Sequence, residues 1–315
     1  MQSTTITVDV SKSFYQYAPA AHFIVTEEDA ADFLQSQFTN ELRPFKVGQA
    51  TYGLWLDVKG KVIADSVMLC EGAEQFRVIS ECCAGELITA HMERHIIADD
   101  VEIEHVESGF GFELPTQAVE ALGLDCPKSG RFIRFKEGII YSIQDSIYNV
   151  VMHKESAAKL VFKELTDLGF IEFSASERGL ARIDRGRPLV PEEIGAADMP
   201  GEGCLEHDAI SFTKGCYLGQ EVVARMHNVG KAQRGLFVVR GEGAIPDLPI
   251  VLTNSESKRV GELRTAYLDG ETWQGVAILK TRFAIVGETL RYNICLLYTS
   301  PSPRDATTSR MPSSA

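Results

Sequence analysis

The sequence predicts an α+β protein that ends in a small β-barrel. Helix-like and strand-like segments occur in blocks through the first 230 residues, without the regular alternation that indicates a parallel α/β sheet. After Gly230 only short strand-like runs follow, separated by Gly, Pro, Asn and Asp, a spacing typical of a barrel. The 315 residues, 44% of them hydrophobic, suffice for two or three domains with buried cores.

The first part of the chain has the element order of a ferredoxin-like module. Asp29 follows Thr26 at the spacing of a capping box, which predicts the start of the first helix. Two strand-like stretches around Lys59 and Gly60 predict a hairpin. The predicted strand, helix, hairpin, strand, helix and strand lie at residues 22–25, 29–42, 50–65, 75–80, 86–97 and 101–106.

A second set of elements precedes a long loop. Strands are predicted near residues 131–135 and 148–153, and a helix at 155–168. Ser174-x-x-Glu177 is a capping box and predicts another helix start. The stretch 186–203 is rich in Pro, Gly and acidic residues and is predicted to be a loop.

These patterns predict three regions along the chain. Residues 1–230 form a bipartite α+β region, and residues 231–294 form the barrel, which is expected to be truncated. Residues 295–315 are rich in Ser, Thr and Pro and lose all periodicity, so we expect a disordered tail that does not look native.

Charge and cysteine content exclude several classes of function. The net charge of -13 argues against binding nucleic acid through its phosphates, which needs a basic face. Seven cysteines without a C-x-x-C pair indicate neither a disulfide framework nor a structural zinc site. The sequence shows neither a signal-peptide pattern nor eighteen consecutive apolar residues, so we expect a cytoplasmic protein that does not bind membranes.

One short run carries the strongest chemical signal. Residues 214–221 read Lys-Gly-Cys-Tyr-Leu-Gly-Gln-Glu, which places Cys216 in a glycine-flanked turn before a predicted helix. A helix N-terminus and the nearby Lys214 ammonium both favour a thiolate, the reactive form of cysteine. We therefore predict Cys216 as a reactive thiol and Lys214 as its partner.

This run resembles the K-G-C-[FY]-x-G-Q-E signature of the YgfZ-type folate-binding proteins, relatives of the aminomethyltransferase (T-protein) of the glycine cleavage system. Every fixed position is present, at Lys214, Gly215, Cys216, Tyr217, Gly219, Gln220 and Glu221. Tyr52 and Asp65 match the spacing of the folate-facing tyrosine and aspartate of the aminomethyltransferase family. Thr39-Asn40 is similar to the end of that family's first helix.

Residues 182–188 resemble the family's R-[IL]-E-x-G-x-P element, with Asp184 where many relatives have Glu. The resemblance implies ferredoxin-like modules around a central cavity for tetrahydrofolate or a derivative. It also implies Tyr52, Asp65, Asp184 and Arg187 as residues that bind this cofactor. The shorter side chain of Asp184 puts its direct contact with a pterin ring in doubt.

Two functions are consistent with this resemblance. The first is a folate-binding accessory protein that supports iron-sulfur cluster assembly or repair, and indirectly tRNA modification, through Cys216. Its partners would be folate and iron-sulfur client or assembly proteins, with no direct contact with nucleic acid. The alternative is a tetrahydrofolate-dependent aminomethyltransferase, although that family is not expected to carry the cysteine signature.

Several charged residues have both a functional and a structural interpretation. Arg178, Arg182 and Arg185 fall on one helical face and either bind the carboxylates of a folate tail or pair with glutamates nearby in sequence, Glu172, Glu177, Glu192 and Glu193. His227 and Glu206 lie near Cys216 in sequence, but the sequence does not show whether they meet it. His91 and His95 lie on an apolar helix face, so burial is favoured over metal binding.

Overall fold

The computed structural model describes residues 9–106, 109–230, 232–285, 289–292 and 295–300. Its helices are α1 to α7, at Ala30–Gln37, Gly85–Glu93, Thr116–Ala121, Glu155–Asp167, Ala175–Asp184, Glu206–Ala209 and Gln220–Val229. Short 3₁₀ turns lie at Val10–Lys12, Pro200–Gly203 and Thr281–Phe283. The strands of the first two sheets, β1 to β11, are Ser13–Tyr17, Ala21–Thr26, Ala50–Leu56, Val62–Gly72, Gln75–Ser80, Glu102–His105, Phe110–Pro115, Arg131–Phe135, Gly138–Gln144, Ile147–Met152 and Ile171–Glu172. The barrel strands, β12 to β17, are Arg234–Glu242, Ile250–Thr253, Arg259–Asp269, Thr272–Lys280, Thr289–Tyr292 and Cys295–Ser300.

The predicted α+β class with a C-terminal barrel is confirmed. One sheet has five strands in the order β3-β4-β5-β2-β6. A second has six strands in the order β11-β1-β7-β10-β9-β8, and the last six strands close a barrel in the order β12-β15-β14-β13-β16-β17. Buried apolar side chains form a cluster on each of the three, and the cluster on the five-stranded sheet also includes residues of the second sheet and of the barrel.

Local signals in the sequence account for the elements that surround the site. The hairpin of β3 and β4 turns at residues 57–61, where Gly60 has a φ of 73° that glycine adopts readily. Helix α5 begins with the predicted capping box, in which Ser174 Oγ accepts the Glu177 N–H at 3.2 Å and Glu177 accepts the Ser174 N–H at 2.8 Å. Capping fixes where α5 starts and therefore which way its arginines point.

The structure differs from the sequence expectation at both ends of the described chain. Ser13–Tyr17 form β1, which lies inside the second sheet, parallel to β11 and antiparallel to β7. Cys295–Ser300 form β17, which pairs with β12 and β16 and closes the barrel, so strand structure continues past the expected boundary at residue 294. The expected tail from residue 301 onward lies outside the described residues.

Within the described residues, no helix combines the length and apolar character needed to cross a bilayer.

Candidate functional site

The signature run forms a turn that completes the C-terminal end of helix α1. The last carbonyls of a helix have no partner within it and need donors from elsewhere. Here the Leu218 N–H donates to Ser36 O at 3.0 Å, and the Lys214 ammonium donates to Gln35 O at 2.7 Å. The turn and the helix end are thereby held as one unit.

Lys214 is buried and joins the turn to the end of helix α1. Its Nζ also donates to Phe38 O at 2.6 Å and to Asn40 O at 2.9 Å, and only 6% of the residue is exposed. Burial lowers the pKa of this ammonium to about 8, while the three carbonyls favour its charged form. Three acceptors use all three hydrogens of an ammonium, so Lys214 has no donor left for a hydrogen bond to Cys216.

Two further signature residues are fixed by packing. Tyr217 is buried, with its ring centroid 5.4 Å from the Lys214 ammonium nitrogen. Gly219 has a φ of 81° and lies against the hairpin turn, where an added Cβ would come within 2.7 Å of Asp57 O and 3.1 Å of Gly60 Cα. Only glycine fits there, because any side chain would meet backbone atoms.

Cys216 stands apart from these neighbours because it is exposed. Among the residues that the structure describes, none forms a hydrogen bond or ion pair with its thiol. Gly215 beside it has open space around the position of a Cβ, and Gln220 and Glu221 begin helix α7. The fold therefore uses Lys214, Tyr217 and Gly219 for packing and presents Cys216 to solvent.

The other described cysteines fall into two groups. Cys70 and Cys83 are buried and Cys82 is half-buried, and burial raises the pKa of all three thiols. Cys126 and Cys204 are exposed, as Cys216 is. The exposed cysteines are the natural comparison for any reactivity of Cys216.

A cavity opens between the first two sheets and the segment that follows α5. Tyr52, Asp65 and Arg187 all line it. A second opening, bordered by Gln144, Leu205 and Asp208, also has Tyr52 and Arg187 in its wall. The structure thus brings three of the predicted cofactor-binding residues together, whereas Cys216 is not among the lining residues.

Asp65 accepts several hydrogen bonds at the wall of this cavity. Tyr52 Oη donates to Asp65 Oδ2 at 3.0 Å, and Ser80 Oγ donates to Asp65 Oδ1 at 3.3 Å. Cys83 Sγ lies 3.3 Å from the same Oδ1. Burial raises the pKa of the Asp65 carboxyl, while the charge of Arg187 and the hydrogen bonds oppose that shift.

Arg187 brings a positive charge to the same place. Its guanidinium lies 4.9 Å from the centroid of the Tyr52 ring. No described residue accepts a hydrogen bond from this guanidinium, so its donors remain available to a ligand. Asp184, by contrast, is exposed and does not line the cavity, which removes it from the site that the sequence predicted.

The helical arginines pair mostly with glutamates that are distant in sequence. Arg178 forms ion pairs with Glu81 and, at 3.0 Å, with Glu113. Arg185 meets Glu113 at 2.7 Å, and both arginines hold the pKa of that half-buried carboxyl below its usual range. These pairs lie on the cavity wall and neutralise much of its charge.

Arg182, unlike the other two, pairs with a glutamate that is nearby in sequence. It bonds Glu193 at 2.5 Å, and Thr265 of the barrel donates to the same carboxylate. The pair therefore ties α5 to β14.

His227 lies on α7 and not in the cavity. Its ring stacks on Phe212 with centroids 4.0 Å apart, and its Nδ1 lies 3.7 Å from Glu206. These two contacts account for its position on the surface beside the signature turn.

Sequence reasoning missed several residues of the cavity. Ser80 and Cys83 reach Asp65 from the end of β5, and Glu81 and Glu113 hold the arginines. Their one signal was polar character at the end of a predicted strand, as in Ser80 and Glu81 after residues 75–79. Tyr141 adds a buried aromatic wall from β9.

The fold is similar to that of an aminomethyltransferase of known structure. The structure superposes on the glycine cleavage system aminomethyltransferase T from Bartonella henselae with a TM-score of 0.78, covering 93% of this chain and 87% of that one. The identity is 14%, so this likeness concerns the fold. Residues 10–132 match the family described as the GCVT N-terminal domain.

The resemblance to YgfZ-type proteins is confirmed at the level of sequence. The chain is 26% identical to the tRNA-modifying protein YgfZ of Hamiltonella defensa, over 79% of this chain and 78% of that protein. It is 27% identical to the mitochondrial iron-sulfur cluster assembly factor IBA57 of Mus musculus, over 80% of this chain and 73% of the relative. The human IBA57 protein is 28% identical, with 80% and 72% covered.

Proposed function

We propose that this protein is a folate-binding accessory factor for iron-sulfur cluster assembly or repair, with Cys216 as its functional thiol. The observation that carries the proposal is that most residues of the signature turn are packed into the fold whereas its cysteine is exposed. Lys214, Tyr217 and Gly219 pack against α1 and the hairpin, while the exposed Cys216 thiol forms no hydrogen bond or ion pair within the part of the chain that the structure describes. An exposed thiol in this position is suited to act on another molecule.

The names of the relatives support the cluster role. Two relatives are named iron-sulfur cluster assembly factors and another a tRNA-modifying protein. An effect on tRNA would be indirect, through iron-sulfur enzymes, because a chain with a net charge of -13 lacks the basic surface that RNA binding requires.

Tetrahydrofolate or a derivative is the ligand that we propose for the cavity. A pterin edge presents hydrogen-bond donors that the Asp65 carboxylate can accept, and Tyr52 and Tyr141 provide aromatic walls. The folate tail carries carboxylates, and Arg187 has uncommitted donors that match them. The residues present therefore fit the group, and each supplies a different part of its recognition.

One-carbon transfer is the alternative, and the aminomethyltransferase-like fold with Asp65 in its cavity is what favours it. In that case Asp65 would orient folate and Cys216 would be dispensable. We rank this alternative second, because it leaves the exposed signature cysteine without a role.

Two assays separate these functions. The chain should restore the activity of an iron-sulfur enzyme in cells that lack their own relative of it. The purified protein should bind tetrahydrofolate in a calorimetric titration. It should form no methylenetetrahydrofolate when it is given tetrahydrofolate and an aminomethyl-loaded lipoyl carrier. Turnover with that carrier, or failure to restore the enzyme in a chain that is well expressed, would contradict the proposal.

A further inference from the structure

We infer that Cys83 is a positioning residue, whose thiol orients the Asp65 carboxylate at the cavity wall. The inference rests on the proposed folate site for its functional meaning. Its physical content, a hydrogen bond from a thiol to a carboxylate, can be measured without any ligand.

Cys83 contacts Asp65 at two points. Its side chain donates to Asp65 Oδ1 at 3.3 Å and accepts the Asp65 backbone N–H at 3.4 Å. The Cys83 backbone N–H donates in turn to Ser80 Oγ at 3.1 Å, and Ser80 donates to the same Oδ1. The residue is 1% exposed, so water cannot replace these bonds easily. Backbone and carboxylate of Asp65 are thus held by one neighbour.

The thiol has one hydrogen and two acceptors within reach. Besides Asp65 Oδ1, the backbone oxygen of Val190 lies 3.3 Å from Cys83 Sγ. A charged acceptor forms the stronger hydrogen bond, so the thiol donates to Asp65 when that residue is ionised. Val190 follows Arg187 by three residues, so the same thiol also contacts the segment that carries the Arg187 guanidinium.

Burial keeps Cys83 in the protonated form that can donate. The pKa of its thiol is raised by burial and by the charge of Asp65, so it is not a thiolate at neutral pH. The titratable groups that face Asp65 come from several elements and are Tyr52, Glu81, Cys82, Cys83, Tyr141 and Arg187. Of the two thiols among them, only that of Cys83 is hydrogen-bonded to the carboxylate.

The test is the pKa of Asp65, followed through its carboxyl ¹³C shift in the full chain. Removing a donor to a carboxylate destabilises its charged form, so Cys83→Ala should raise this pKa by about half a unit to one unit. Cys70→Ala is the matched control, since Cys70 is also buried, at 4% exposed, but donates to Gly72 O. It should leave the pKa unchanged.

Cys83→Ser provides the second comparison, because a hydroxyl is a stronger donor than a thiol. Its Asp65 pKa should lie below that of the parent. An unchanged or lower pKa in Cys83→Ala, or an unchanged or raised pKa in Cys83→Ser, would overturn the inference. The serine variant keeps a donor in place, so it decides the question even where alanine prevents folding.

Tetrahydrofolate titrations of the same proteins between pH 4 and 8 connect this pKa to binding. The acidic limb of the affinity profile should move to higher pH in Cys83→Ala by the shift seen in the carboxyl. A parent protein that binds no tetrahydrofolate would refute the proposed ligand, while the carboxyl pKa values would still test Cys83.

Discussion

Replacing Lys214 with Met should destabilise the protein, because Lys214 joins the signature turn to helix α1. The side chain lengths are similar, but the variant loses donors to three buried carbonyls. A hydrogen bond to a charged group contributes about 1.5–3 kcal/mol, so three contribute roughly 4–9 kcal/mol.

Burial of the ammonium offsets part of this gain. Its pKa falls from an ordinary 10.5 to about 8, which corresponds to about 3 kcal/mol at about 1.4 kcal/mol per unit. Subtracting this cost leaves a net loss of about 1–6 kcal/mol in Lys214→Met. With a urea slope of about 3 kcal/mol/M, the unfolding midpoint should fall by about 0.3–2 M.

Equilibrium urea unfolding, followed by intrinsic fluorescence, measures this loss. Lys59→Met is the control, because Lys59 is exposed in the hairpin turn and its ammonium forms no hydrogen bond or ion pair with any described residue. The control should unfold at the parent midpoint. If Lys214→Met also unfolds there, the three carbonyl contacts contribute nothing and the account of the signature turn is wrong.

Four further predictions concern the turn and the cavity. Gly219→Ala should lower the free energy of unfolding in urea by about 2 kcal/mol or more, because Gly219 has a positive φ and an added Cβ would lie 2.7 Å from Asp57 O. Gly215→Ala is the control: its Cβ would meet open space, so it should change the free energy of unfolding by less than about 0.5 kcal/mol. Competitive alkylation at neutral pH, read by mass spectrometry, should label Cys216 before every other native thiol, because it is exposed and lies just before the N-terminus of α7; faster labelling of Cys82, Cys83, Cys126 or Cys204 in the folded protein would refute this. Asp65→Asn should weaken tetrahydrofolate binding about tenfold to a hundredfold in calorimetry while the fold persists, since an amide puts a donor where an acceptor is needed. Burial raises the pKa of Asp65 in the folded protein above its unfolded value, so the stability linked to this group is lost as pH rises through the folded pKa. Asp65→Asn should therefore be at least as stable as the parent at pH 7. A clearly lower urea midpoint for Asp65→Asn would contradict this.

Local sequence signals predicted the elements that surround the site. The Ser174 capping box and the Lys59-Gly60 turn both lie where the sequence placed them, because each depends on a few adjacent residues. Tyr52 and Asp65 meet across β3 and β4 because that hairpin brings their strands together.

Contacts between distant parts of the chain could not be read in the same way. Lys214 has a local interpretation as a neighbour of Cys216, but its acceptors lie more than 170 residues earlier in the chain. Arg178 likewise pairs with Glu81 and Glu113, and not with the glutamates near it in sequence. Buried charges pair with the groups that the assembled sheets place beside them, and these partners cannot be inferred from the spacing of residues along the sequence.

Strand pairing at the chain ends raises the same difficulty. A short strand such as Ser13–Tyr17 has too few residues for a clear period and is specified by its neighbours in the sheet. Cys295–Ser300 lacks the flanking pattern of a strand, yet it pairs on both sides once the barrel closes.

The central claim is that Cys216 acts on a partner outside the chain while the cavity binds folate separately. The measurement that tests it most directly compares Cys216→Ser with the parent in cells that lack their own relative of this protein. Serine keeps the size of the side chain but cannot form a thiolate near neutral pH. Cys126→Ser, another exposed cysteine outside the signature, is the control.

We predict that Cys216→Ser folds and binds tetrahydrofolate with the affinity of the parent, yet fails to restore iron-sulfur enzyme activity, whereas Cys126→Ser restores it fully. Full restoration of that activity by Cys216→Ser would contradict the thiol mechanism and leave only the folate cavity as the functional site.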